Sequence, residues 1–130
     1  MKAYLKNYRQ SPRKVRLIAD FARGKKVSDV LQELRFLNKK AAPHISKVIK
    51  SAVANAKQNF GTDESDLIVK EIRVDKGFTL KRWLPRAFGR ATMLHKHASN
   101  ITVVLGKDIQ KQEEILKKEN KNAKPDKKAA

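Results

Sequence analysis

Six cationic side chains, Lys76, Lys81, Arg82, Arg86, Arg90 and Lys96, fall within residues 76–106 with no Asp or Glu among them. Lysine offers a point charge to a phosphate and arginine a planar fork of donors, so a run of both without carboxylates is equipped to hold a polyanion. Trp83 stands between Lys81-Arg82 and Arg86. Its indole can enter a core, as most do, or stack on a base or an arginine, and the residues alone leave both open. His95 and His97 share one face of a strand. That spacing can hold a metal, but no third ligand is near, so contact with phosphate or RNA, or plain exposure, is the expectation. Asp63, Glu64 and Asp66 do not match a calcium loop and read as a solvated connection. His44 stands alone and reads as structural. None of the nucleotide-binding, nucleophile-elbow or zinc-protease motifs is present. The expectation is a binding protein with no catalytic residues, no metal and no cofactor.

These side chains need an element to carry them. Residues 84–90, Leu-Pro-Arg-Ala-Phe-Gly-Arg, have the punctuation of a turn: Pro85 pre-sets φ and Gly89 can take a positive one. β-formers flank it, Phe78, Thr79 and Trp83 before and residues 101–105 after. The pattern predicts a long hairpin over about 77–98, with roughly 10 residues a side and about 30–35 Å long. An isolated two-stranded ribbon is marginal in water. This arm therefore needs a surface to lie on, and its charge makes that surface polyanionic.

A domain must anchor the arm. Residues 2–9 alternate as a short strand. Ser11-Pro12 opens a helix as N-cap and first residue, with Val15, Leu17, Ile18, Ala19, Phe21 and Ala22 on its apolar face and Gly24 at its end. Arg13, Arg16 and Arg23 lie on the opposite face. Arg13 and Lys14 sit in the first turn, where cations oppose the helix dipole, and phosphate contact is the simplest reason for them. Arg9 and Lys25 belong to the same basic block. Ser28 is expected to cap a second helix running to about Leu37, with Val27, Val30, Leu31, Leu34 and Leu37 as its stripe. A third helix, from about Lys40 to Asn59, buries Ala41, Ile45, Val48, Ile49, Ala52, Val53 and Ala56 and turns Lys47, Lys50 and Lys57 outward. Residues 67–74 form a strand leading into the arm, with Gly77 available for a bulge or bend at its root. The return strand covers about 98–105. Residues 108–130 read as a basic extension, partly helical and then disordered.

The 130 residues carry 31 Lys and Arg against 13 Asp and Glu, a formal net charge of +18. This points to nucleic acid. The excess is uneven. Residues 1–26 hold nine basic side chains and one acidic, residues 76–106 six and none, and residues 27–75 eight and seven. The expectation is a nearly neutral packed middle with basic attachments, one domain over 1–107. Absence of Cys excludes a disulfide framework. No apolar stretch approaches the roughly 18 residues of a membrane span, and the N-terminus has no signal-peptide pattern. The expected location is the cytoplasm, with no membrane partner.

Four segments carry a family likeness: residues 11–20 (Ser-Pro-Arg-Lys-Val-Arg-Leu-Ile-Ala-Asp), 51–56 (Ser-Ala-Val-Ala-Asn-Ala), 84–91 (Leu-Pro-Arg-Ala-Phe-Gly-Arg-Ala) and 99–104 (Ser-Asn-Ile-Thr-Val-Val). In order and spacing, over about 1–107, they resemble the bacterial-type large-subunit ribosomal protein twenty-two family. The likeness implies an α+β fold, three helices on a small three-stranded antiparallel sheet with a long protruding hairpin. It also implies binding of large-subunit (23S-type) rRNA, support of subunit assembly, neighbouring ribosomal proteins as partners, and a hairpin tip lining the peptide exit tunnel beside the nascent polypeptide. By that likeness Arg86, Ala87, Phe88, Gly89 and Arg90 form the tip, and Lys81 and Arg82 are the basic pair on the approach. Three departures make this arm less cationic than in many relatives. Phe88 stands where a basic residue is frequent, His95-Lys96-His97 replaces a more charged run, and Asn100 stands where His is common.

The rRNA-contacting set expected from charge and likeness together is Arg9, Arg13, Lys14, Arg16, Arg23, Lys25, Lys76, Lys81, Arg82, Trp83, His95, Lys96 and His97. The rival reading is an architectural DNA-binding protein with a basic β-arm. A small nucleic-acid enzyme would need carboxylates or a His–nucleophile pair among the basic residues, and the arm has no carboxylate.

Overall fold

A computed structural model describes residues 1–107. The expected basic extension, 108–130, lies outside the described residues. The order of elements is β1 (Lys2–Tyr8), α1 (Pro12–Ala22), α2 (Val27–Phe36), α3 (Ala42–Phe60), β2 (Leu67–Lys76), β3 (Leu80–Pro85), β4 (Ala91–Lys96) and β5 (Ser99–Lys107). Short 3-10 turns precede β2 and join β3 to β4. The fold is α+β, three helices with an antiparallel sheet of order β1-β5-β2 and a separate β3-β4 hairpin.

The core lies between one sheet face and the helices. Ser99, Ile101, Val103 and Leu105 of β5 alternate inward, as a half-buried strand requires. Strand β2 breaks the alternation: Leu67 and Val69 are buried, then Ile72 and Val74. The pairing explains it. Val69 faces Leu105 and Glu71 faces Val104, which leaves Lys70 as an extra residue in a bulge. Of the bulge or bend expected at Gly77, the bulge of this strand is at Lys70. Gly77 serves a different need: its N–H donates to the Ala98 carbonyl at 2.8 Å, and a Cβ there would sit 3.2 Å from the Ala98 carbonyl carbon. A second irregularity in β1 leaves Asn7 at φ 56°, with its N–H donating to Asn100 Oδ1 at 2.9 Å.

The helices follow their stripes with local corrections. In α1, Val15, Ile18, Ala19 and Ala22 are buried, but Leu17 is 71% exposed and Phe21 lies at the boundary. The apolar face is narrower than expected: at about 100° per residue Leu17 falls about 200° from Val15, on the side of Arg13, and Phe21 falls outside the stripe's margin. Ser11 occupies the N-cap position, yet no side-chain capping bond forms. Its carbonyl accepts from the N–H groups of Lys14 and Val15. Lys26, not Ser28, is the N-cap of α2, and Ser28 Oγ donates to Asp29 Oδ1. Helix α3 begins at Ala42, two residues after the expected start, so Pro43 falls in its first turn where no N–H is needed. It buries Ile45, Val48, Ile49, Ala52 and Ala56, with Val53 packed at the margin. Gly61 ends it in the left-handed region.

The outer edge of β2 is covered from within. Val69 exchanges backbone hydrogen bonds with Gly24 and Lys25. Farther along, Arg23 Nη2 donates to the Ile72 carbonyl at 3.1 Å, and Arg16 donates through Nε and Nη2 to the Val74 carbonyl at 3.2 and 3.0 Å. Two arginines, Arg16 of α1 and Arg23 at its C-cap, thus occupy edge carbonyls that would otherwise invite another strand.

Candidate nucleic-acid interface

The arm is two short strands in register, Leu80 opposite Lys96 through to Pro85 opposite Ala91. Residues paired across a ladder share a face. One face therefore carries Lys81, Trp83, Met93 and His95, and the other Arg82, Leu84, Thr92 and Leu94. Every residue from 81 to 97 is exposed. Trp83 is 65% exposed, so it has not entered a core. Its indole lies beside Met93 in the ladder, with Lys81 and His95 on the same face, which suits stacking with charge close by.

The tip is closed by the backbone. The Arg86 N–H donates to the Arg90 carbonyl at 2.7 Å, and the Arg90 N–H to the Ala87 carbonyl at 3.3 Å. Gly89 takes a positive φ of 67°, and Phe88 does so too, at φ 57°. The phenyl ring of Phe88 is 99% exposed. Arg86 Nε reaches Thr92 Oγ1 at 3.4 Å, while the tip presents Arg86 and Arg90 outward with no carboxylate beside them.

At the other end of the arm the fold gathers residues distant in sequence. Arg9 and Lys14 come from the β1–α1 corner, His95, Lys96 and His97 from the returning arm, and Lys40 from the turn before α3. Together with Tyr8, Gln10 and Ser11 they line a cleft of about 440 Å³ with no acidic side chain in its wall. Hydrogen bonds hold this corner. Ser99, fully buried, donates from Oγ to the Gln10 carbonyl at 2.6 Å. The Tyr8 hydroxyl bonds Gln10 Oε1 at 2.8 Å and lies 3.2 Å from the Lys40 carbonyl. Burial pushes the Tyr8 hydroxyl above its ordinary pKa. The His44 ring packs on Tyr8 at 4.5 Å between centroids, the structural role expected of it. The His95 and His97 rings are 6.1 Å apart. No group of three metal-ligating side chains occurs among the described residues.

The other expected RNA-facing residues divide. Arg13 is exposed on the first turn of α1, and Lys76 is exposed at the arm's root opposite Ser99. Arg16 and Arg23 are engaged with β2, and Arg23 also pairs with Asp20 at 2.9 Å. Lys25 pairs with Glu33 at 2.6 Å and its ammonium lies 3.9 Å from the centre of the Phe21 ring. These three are turned toward their own domain. Lys40 is the residue that sequence reasoning missed, since nothing in its neighbours' spacing announces that it meets the arm.

The model of the family described as Ribosomal protein L22p/L17e matches residues 3–106. The chain belongs to that family. Three relatives, each named Large ribosomal subunit protein uL22, agree along the same stretch. That of Herpetosiphon aurantiacus is 53% identical over 104 residues, covering 80% of this chain and 92% of its own. That of Syntrophobacter fumaroxidans is 52% identical over 105 residues, 81% of this chain and 96% of its own. That of Desulfitobacterium hafniense is 54% identical over 104 residues, 80% and 91%. The L22p/L17e match takes in both outer strands, all three helices and the arm, so the cleft and the tip both lie inside the family's span.

Proposed function

We propose that this chain is a structural constituent of the large ribosomal subunit, bound to large-subunit rRNA and acting without catalysis. The observation that carries the reading is the arm: residues 81–97 are exposed throughout and hold five cations and no carboxylate. Such a ribbon has too little apolar surface to fold back on itself and gains order by lying against folded RNA. Arg9, Arg13, Lys14, Lys40 and Lys96 neutralise phosphates around the root and Lys81 and Arg82 along the shaft, where Trp83 stacks on a base, and the released counterions supply much of the affinity. Phosphate contacts set the position, and the fit of the arm between RNA helices gives selectivity. Neighbouring ribosomal proteins are the other partners. The tip, Arg86 to Arg90, reaches the peptide exit tunnel, where it presents two guanidinium groups and one phenyl ring to the growing chain. Location on cytoplasmic ribosomes follows from this role.

Sedimentation tests the reading. Tagged protein in a lysate resolved on a sucrose gradient co-migrates with the large subunit, and a free or nucleoid-bound pool contradicts it. The architectural DNA-binding alternative, which the ribosomal family membership does not favour, predicts preference for bent duplex DNA over folded rRNA in competition. A photo-crosslinker at position 88 forms adducts with arrested nascent chains if the tip lines the tunnel; adducts to rRNA alone place the tip elsewhere.

A further inference from the structure

A second basic surface lies on the far side of the residues that read as neutral. The C-terminal end of α2 and the first half of α3 leave a groove of about 790 Å³ between them. Arg35, Lys39, Lys40, Lys47 and Lys50 line it, with no Asp or Glu in the lining. All five are exposed, and none makes an ion pair among the described residues. A smaller cleft of about 460 Å³ shares Arg35 and Lys50 and continues along the same two helices to Lys57, where Glu64 closes it. Lys47, Lys50 and Lys57 therefore form one line on α3, about 15 Å from first to last at the helical rise.

Two further features define the occupant. Phe36, on the last turn of α2, lines the same groove and is 88% exposed. An open aromatic among unpaired cations is the combination that holds single-stranded nucleic acid, with phosphates on the charges and a base on the ring. The groove also meets the cleft at the arm's root, because Lys40 lines both.

We infer that the α2–α3 groove is a second RNA site, distinct from the arm, that holds an unpaired segment of RNA. Its phosphates sit on Arg35, Lys47 and Lys50 and one base stacks on Phe36, and Lys40 carries the strand over from the arm-root cleft. The inference rests on the rRNA-binding reading above and adds to it the form of RNA and the residues that take it.

The test uses the full chain and a fluorescein-labelled single-stranded RNA of mixed sequence, about 12 nucleotides long, followed by anisotropy over a series of KCl concentrations. Three variants are compared: Arg35→Gln/Lys47→Gln/Lys50→Gln, Phe36→Ala, and Lys81→Gln/Arg82→Gln as the arm control. All the altered side chains are exposed, and circular dichroism confirms that each variant is folded. The triple groove variant should flatten the slope of log K against log salt by about 2, at about 0.7 for each single-strand phosphate that is no longer neutralised. Phe36→Ala should weaken binding about 5- to 100-fold with the slope unchanged. Unchanged slope and affinity in the groove variants, with weaker binding of the arm control to large-subunit rRNA, would overturn the groove and leave the RNA-binding reading standing. If the unaltered chain binds neither the oligonucleotide nor the rRNA, that reading falls as well. A triple variant that no longer binds polyglutamate but still binds the oligonucleotide assigns the groove to an acidic protein and overturns the proposal.

Discussion

Among the described residues Phe88 is the most exposed large apolar one and one of two non-glycine residues with positive φ. A bulky L-residue in that region costs about 1–2 kcal/mol, and here no packing offsets it. Replacing Phe88 by Gly removes the strain. Net of glycine's greater freedom when the tip opens, the gain is about 1 kcal/mol, or about fivefold slower hydrogen exchange at the Arg86 N–H. Thermal unfolding of the domain should not move. Faster exchange in the variant would show that the phenyl ring itself holds the tip closed. Gly89 was readable as a turn residue because glycine is the default for positive φ, whereas nothing in a sequence says that a phenylalanine beside it shares that conformation. Leu17 and Phe21 were misplaced for a different reason: at about 100° per residue Leu17 lies about 200° from Val15 and Phe21 beyond the stripe's margin, so apolar type was given more weight than position on the wheel.

The elements separate two kinds of arginine that look alike on a wheel. Arg16 reaches the edge of β2 with two N–H groups, while Arg13, one turn earlier, is exposed. Arg16→Met keeps the aliphatic stem and leaves the Val74 carbonyl short of its donors, a loss of about 1–2 kcal/mol in denaturant unfolding. Arg13→Gln should leave stability unchanged and lower rRNA affinity; the reverse pattern would mean that the roles are exchanged. Charge and helix face were legible for both residues, but the neighbouring strand edge was not, because it is formed by residues almost 60 positions away. The stripe of α3 was legible almost throughout, since the long apolar pattern leaves one solution. Val48 is 6% exposed there, and Val48→Asp should destabilise the fold by several kcal/mol, close to the stability of a whole domain. An unchanged melting temperature would put α3 on the wrong face. The bulge at Lys70 was not legible, although the slip in alternation between Val69 and Ile72 was its trace.

At the scale of the molecule, the arm forms a sheet of its own beside the three-stranded one. Among the described residues the β3 and β4 strands pair with each other and with no third strand, and the root is the close approach of Gly77 to Ala98. Replacing residues 79–96 by a short turn should leave a domain that melts within a few degrees of the full chain, because the sheet and helices keep their packing. An unfolded product would make the arm part of the core. The hairpin could be drawn from the sequence because β-formers flank the Pro85–Gly89 turn. The α2–α3 groove could not. Residues 27–75 hold eight cations and seven anions, and their near-neutrality conceals a segregation in space. Glu33 is paired with Lys25 and Asp75 with Arg73, while Arg35, Lys39, Lys40, Lys47 and Lys50 meet in one channel. Summing charge along a chain loses what folding does with it.

Strand order sets the timetable of folding. The middle strand of the sheet, β5, is the last one described, and it joins Ala3 to Val103 and Ile72 to that same residue. While the chain is being made, β1 and β2 lack the strand that joins them until residues 99–107 appear, so the three helices wait on an open sheet. By then the arm is already complete and outside. Closure across so long a loop is slow for a small domain, within about milliseconds to seconds. Stopped-flow refolding should place it there, and a microsecond phase carrying the full amplitude would show that the helices fold without the sheet. For a basic chain synthesised among RNA, that interval is one in which the cations are already present and the surfaces that orient them are not.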